Sequence, residues 1–174
     1  FFILRKEFLN VKNIIIKKKI EKVLIAFGGT DPKNLTLKVL EAIYEFCELN
    51  NIEILILCGF GYNFYTSIDK FKKIKVLKDV KNVAQIAVKA DLVFTGGGRT
   101  TFEMASLGLP TVVLTQNKRE LTHLFSSNKN GFLNLGEGVD NSKKNILKEF
   151  VKLNDNQKLR LKMSSLMKKN NLTK

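Results

Sequence analysis

The chain has little of the chemistry that would make it a metalloprotein or a membrane protein. Among its 174 residues there are one His, two Cys, two Pro and no Trp. His123, Cys47 and Cys58 show no CxxC spacing and no clustering, so no metal site is expected and no cofactor is called for. The cysteines read as buried free thiols, which suits a reducing, cytoplasmic setting. No apolar run reaches the roughly 18 residues of a membrane helix. The most apolar stretch, residues 52–60, is interrupted by Glu53 and Gly59. Residues 1–10 lack the apolar segment of a signal peptide, and there is no initiating Met, so the chain reads as a piece of something longer. No period of 20–50 residues marks a repeat protein.

Acidic residues are also scarce, 16 against 30 Lys and Arg, for a net charge of +14. The lysines are spread through Lys17-Lys18-Lys19, Lys72-Lys73, Lys143-Lys144 and Lys168-Lys169, without interleaved aromatics. That favours a solvated surface over a nucleic-acid groove, so no nucleic-acid partner is expected. A basic nucleic-acid-binding module stays as an alternative of a different class, which steep salt dependence would reveal.

What is present is the material of a core: 44% apolar residues, 13 of the chain's residues being Phe. The run Val23-Leu24-Ile25-Ala26-Phe27 ends at Gly28-Gly29. A continuous apolar run of this length suits a strand buried on both faces. Asp31 then reads as an N-cap with Pro32 at the first helical position, opening a helix that Asn50-Asn51 ends. The unit repeats. Strands are expected at 54–58, 74–77, 91–95, 111–114 and 131–135, and helices at 83–90, 100–107 and 120–127. From Lys143 the pattern is helical to the end, with a break near Asn154-Asp155-Asn156. Alternating strand–glycine–helix units imply an α/β fold, a Rossmann-like three-layer arrangement with a parallel sheet. Residues 1–20 read as a linker or entry strand from a missing N-terminal half, and residues 21–174 as the Rossmann-like domain.

Ligands of such sheets sit beyond the carboxyl ends of the strands, where Gly28-Gly29, Gly59-Phe60-Gly61 and Gly96-Gly97-Gly98 all fall. Glycine lets an anion approach the backbone, and a helix N-terminus offers it unpaired N–H groups. Neither GxxxxGK[ST] nor GxGxxG is met after the first strand. Glycines also serve simply as tight turns. Glu103 carries two readings: Thr100-Thr101-Phe102-Glu103 matches a capping box, and a carboxylate beside a phosphate loop can accept hydrogen bonds from a pair of ribose hydroxyls. Asp31 and Glu120 fall near the expected cleft without a paired-carboxylate spacing.

The segment Gly28-Gly29-Thr30-Asp31-Pro32-Lys33-Asn34-Leu35-Thr36, with residues 96–110 and Thr115-Gln116-Asn117, resembles the C-terminal half of the UDP-sugar hydrolase of the pseudaminic acid pathway. That family resembles the GT-B glycosyltransferases, among them the UDP-GlcNAc transferase of lipid II synthesis. Leu4-Arg5-Lys6-Glu7-Phe8 resembles the linker between the hydrolase halves. The resemblance implies one half of a GT-B fold that binds UDP or a UDP-sugar in polysaccharide or nonulosonic acid biosynthesis. It implies that Glu103 holds the ribose hydroxyls and that Gly97, Gly98, Arg99 and Thr100 hold the diphosphate. By the same resemblance the backbone at Val80 reads uracil, Gly28, Gly29 and Thr30 line the opposite wall of the cleft, and Gln116 and Asn117 contact the sugar. The family's general base is a histidine of the N-terminal half, so no catalytic residue is expected on this chain, His123 being a poor substitute. A donor-binding domain of a glycosyltransferase and a non-catalytic nucleotide-sugar sensor remain as alternatives.

Overall fold

A computed structural model describes residues 4–9, 11 and 14–172. A 3-10 turn at Lys6–Phe8 is followed by β1 (Lys22–Ala26), α1 (Leu35–Leu49), β2 (Glu53–Cys58), α2 (Tyr65–Ile68), β3 (Ile74–Lys78), α3 (Val83–Ala87) and β4 (Leu92–Thr95). Then come α4 (Thr100–Leu107), β5 (Thr111–Thr115), α5 (Lys118–Leu121), β6 (Leu133–Glu137), α6 (Lys143–Asp155) and α7 (Gln157–Lys168). The six strands pair in parallel in the order β3-β2-β1-β4-β5-β6. This is the doubly wound order whose direction of build-up reverses between β1 and β4, opening a crevice at their carboxyl ends.

The apolar runs form strands because both faces are covered. Ile25, Ile56, Phe94 and Leu114 pack with Val39, Ile43 and Phe150 of α1 and α6. Leu24, Leu55 and Val93 face the other way, with Ala84, Ala87, Met104 and Phe8. Central β5 is buried at all five positions, whereas the edge strands β3 and β6 are half-exposed.

α7 crosses the amino-terminal ends of the strands. Its Met163 belongs to the layer of α1 and α6, and its Met167 packs with Ala105 of α4 on the opposite layer. The segment before β1 is strapped to this helix and to the end of α6. Gln157 Nε2 donates to Ile16 O (2.9 Å), the fully buried Arg160 donates through Nη2 to Lys18 O (2.8 Å), Ile20 N donates to Asn154 Oδ1 (3.3 Å), and Lys19 pairs with Asp155.

Several sequence expectations need correction. Asp31 is not the N-cap of α1: Asn34 is, in a left-handed conformation, its side chain accepting from Leu37 N. Asp31, itself at φ 42°, reaches forward so that its two carboxylate oxygens accept from Leu35 N (2.9 Å) and Thr36 N (2.8 Å). It therefore still satisfies the first turn's unpaired donors, from outside the helix. The helix expected at 83–90 ends at Ala87, where the chain tightens into three-residue turns. The strand expected at 131–135 is displaced to Leu133–Glu137, since Gly131 holds φ 90°, which strand geometry excludes. The helix expected at 120–127 is one turn at Lys118–Leu121 followed by 3-10 turns. Its side chains serve the glycine loop rather than a helical face.

Cys47 and Cys58 are free and buried, and burial pushes their thiols up to about 12 and about 11 respectively. Both are then protonated near neutral pH and shielded from reagent. A thiol-reactive chromophore should titrate neither in the native protein and both on unfolding. Rapid labelling of native Cys58 would contradict this packing.

Candidate functional site

The carboxyl ends of β1 and β2 are drawn together by backbone contacts that only glycine allows, and those of β1 and β4 by a threonine side chain. Gly61 N donates to Gly29 O (2.9 Å), and Thr95 Oγ1 donates to Ala26 O (2.7 Å). A Cβ at Gly59 would lie 2.4 Å from Gly29 Cα. The ends of β1 and β2, the turn after β3 and the start of α4 line a cavity of about 240 Å³. Arg5, Gly28, Gly29, Gly59, Val80 and Thr100 are among the residues that line it.

Glu103 stands next to this wall, in the first turn of α4, and is 2% exposed. Its carboxylate accepts two hydrogen bonds from one guanidinium, Arg5 Nε at 2.7 Å and Arg5 Nη2 at 2.9 Å. Hydrogen bonding to Glu103 is the chief cause that raises the pKa of Arg5, against the cost of burial. Arg5 also lies over the Phe8 ring, 5.3 Å from its centroid, so the 3-10 turn fixes it from behind. The capping-box reading of Glu103 is thereby corrected. The residue before α4 is Arg99, which makes no side-chain cap, and Thr101 Oγ1 donates to Gly98 O. A carboxylate has about four acceptor positions, of which Arg5 takes two. Two are left for other donors.

The loop 96–98 answers to the chain's own side chains. Glu120 Oε2 accepts from Gly97 N and from Gln116 N, each at 2.8 Å. A Cβ at Gly96 would lie 3.1 Å from Glu120 Oε2 and from Gln116 Nε2, and one at Gly97 3.0 Å from Glu120 Cβ. Gly98 is more open, its nearest neighbour being Glu120 Oε1 at 3.8 Å. The exposed Arg99 forms no ion pair among the described residues.

The other expected positions fall along the same edge. Gln116 Nε2 donates to Phe27 O (2.7 Å), bridging the ends of β5 and β1. Asn117 caps α5, its Oδ1 accepting from Glu120 N. The Thr30 methyl lies against Gly61. His123 is not on a helix but precedes the 3-10 turn Leu124–Ser126, exposed, with Nδ1 2.9 Å from Gly97 O. The structure thus gathers Val80, Thr100, Gly28 and Gly29 around one cavity and groups Gly97, Gln116, Asn117 and His123 beside it. Two contacts were not legible in the sequence, although Glu120 itself is placed near the expected cleft there. Arg5 is 98 positions from the carboxylate it grips, and Glu120 carries no signal beyond its four-residue spacing from Gln116. Among the described residues no group of three metal-ligating side chains occurs, and no helix is long and apolar enough to cross a membrane.

An uncharacterized protein of Methanocaldococcus jannaschii, MJ1062, is 39% identical over 127 residues, which is 68% of this chain and 26% of that protein. The spore coat polysaccharide biosynthesis protein SpsG of Bacillus subtilis is 28% identical over 105 residues, 58% of this chain and 31% of SpsG. The chain therefore spans about a quarter to a third of the curated relatives it matches. The S. aureus MnaA–UDP co-structure shares the fold with a TM-score of 0.67 at 15% identity, over 86% of this chain and 41% of that one. The arrangement is that of one half of a GT-B glycosyltransferase. The glycosyltransferase family 28 C-terminal domain matches residues 23–173, and the chain belongs to that family.

Proposed function

We propose that this chain is the UDP-sugar-binding half of a two-half enzyme of polysaccharide or nonulosonic acid biosynthesis. The reading is carried by one observation: a buried carboxylate, Glu103, stands at a helix start beside a glycine-lined cavity at the sheet's switch point. Arg5 orients that carboxylate through two hydrogen bonds while leaving acceptor positions for the two ribose hydroxyls. The backbone at Val80 faces the same cavity as the reader of uracil. The diphosphate lies over Gly97, Gly98, Arg99 and Thr100, at the amino-terminal end of α4, where Thr101 N and Phe102 N already donate to Gly98 O and Arg99 O. Gln116 and Asn117, at the end of β5, adjoin the sugar. The UDP bound in the MnaA structure and the polysaccharide role in the SpsG name support this class of ligand.

The reaction most in keeping with the resemblance is attack of water on the anomeric carbon of a UDP-diacetamido sugar with release of UDP. The base that activates the water belongs to the N-terminal half, joined through the segment before β1. A glycosyltransferase would differ only in supplying an acceptor hydroxyl in place of water. His123 holds the glycine loop through Gly97 O, and among the described residues no carboxylate is bonded to its ring to orient it as a base.

Titration calorimetry of the chain with UDP and with uridine tests the reading. Both should bind, UDP more tightly, and UDP release from acetamido-sugar nucleotides should be negligible, because one wall of a cleft cannot orient base and sugar together. No binding of either compound overturns the proposal. Robust turnover abolished by His123→Ala would place the base on this chain.

A further inference from the structure

The glycine loop of this chain already holds an anion, and the anion is its own. Glu120 Oε2 accepts the N–H of Gly97 and the N–H of Gln116, both at 2.8 Å, at the mouth of the loop proposed above for the diphosphate. The fit is close: a Cβ at Gly96 would lie 3.1 Å from Glu120 Oε2 and one at Gly97 3.0 Å from Glu120 Cβ, so the Glu120 side chain would have to give by a few tenths of an ångström. The element that delivers Glu120 is lightly attached. α5 is a single turn with no buried residue; its last residue Leu121 and the following Leu124 are 43% and 83% exposed. It can move without uncovering the core.

Resting on the UDP-binding reading, we infer that Glu120 is a built-in occupant of the phosphate seat, one that a nucleotide diphosphate must displace and that sets the loop's selectivity against weaker anions. If Glu120 stayed in place, its charge would face the incoming phosphates across the loop, so retention and displacement both oppose binding. On displacement the N–H groups of Gly97 and Gln116 pass from carboxylate to phosphate oxygen, and the loop keeps its full set of bonds in both states. An empty loop would leave those two donors without a partner at a half-buried position. Uridine alone does not reach the loop and gains nothing from the exchange.

The test uses UDP and uridine as probes on the wild-type chain, Glu120→Gln and Glu120→Ala. Glu120→Gln keeps the side chain's shape and removes its charge, and should bind UDP about tenfold more tightly than wild type, the effect of relieving one like-charge contact near the surface. Glu120→Ala should shift in the same direction, and uridine affinity should be the same in all three. UDP affinity equal to or weaker than wild type in a folded Glu120→Gln overturns the inference and leaves the UDP reading standing. Absence of both UDP and uridine binding in all three proteins overturns that reading and the inference with it. A crystal structure of the wild-type chain with UDP gives an answer that needs no variant. Glu120 should have left Gly97 N, and a Glu120 carboxylate still within hydrogen-bond distance of Gly97 N beside a bound diphosphate overturns the displacement.

Discussion

Glu103→Gln should lower the affinity of this chain for UDP by roughly ten- to a hundredfold, the equivalent of about 1.5–3 kcal/mol for charge-assisted hydrogen bonds. The substitution keeps the volume of a side chain that is 2% exposed, so packing around α4 is retained. What changes is acceptor capacity. The amide has one oxygen, which cannot serve both the Arg5 guanidinium and two ribose hydroxyls. Some stability should be lost as well, because the bidentate pair with Arg5 is broken. Arg5→Ala breaks the same pair from the other side and separates the two effects. It should lower the melting temperature similarly yet weaken UDP only severalfold, since Glu103 keeps its carboxylate and loses only its orientation. Calorimetry and thermal melts on both variants decide the matter. UDP affinity unchanged in a folded Glu103→Gln would remove this carboxylate from the nucleotide site.

Gly59→Ala should destabilise the domain by about 1–3 kcal/mol or more, the range for forcing a methyl group into filled space. The new Cβ would meet Gly29 Cα at 2.4 Å and the carbonyl oxygens of Gly28 and Gly29 at 2.7 Å. All three are backbone atoms, so no side chain can swing aside. The loops after β1 and β2 would have to part, straining the Gly61–Gly29 hydrogen bond and the cavity wall together. Gly29→Ala is the matching control. Nothing lies within 4 Å of its Cβ position and its φ is not in the left-handed region, so stability should hold. Any effect there should appear in ligand affinity alone. Equal melting temperatures for Gly59→Ala and wild type would refute the steric argument.

The parallel sheet is legible in the amino-acid order because residues 23–27 and 54–58 are uninterrupted apolar runs closed by glycine. Burial on both faces requires that composition. Helix α4 was legible to the residue, bracketed by the glycine loop and by Gly108, which takes the left-handed conformation of a C-cap. The region after β5 was not. Residues 120–127 contain enough apolar residues to suggest a helix, yet Glu120 and His123 are claimed by the backbone of Gly97, and that competition leaves one turn of helix. The Asp31 cap misled for a related reason: a carboxylate can reach the first-turn N–H groups from four residues upstream as well as from the cap itself. The pairing of Arg5 with Glu103 is set by where the chain enters the domain, and no local spacing encodes it.

The strap between residues 16–20 and the α6–α7 corner defines a path for mechanical load. Four side chains of that corner grip the entering segment, two of them through its backbone carbonyls at Ile16 and Lys18. Tension applied upstream of Ile16 is taken up by α7, which lies across both layers, before it can peel β1 from the sheet. The domain then turns as one block under a pull from its amino-terminal side, with its pivot ahead of Ile16. Removing α7 would shift that pivot toward β1 and the cavity, so the last helix of the chain governs the stiffness of its first segment.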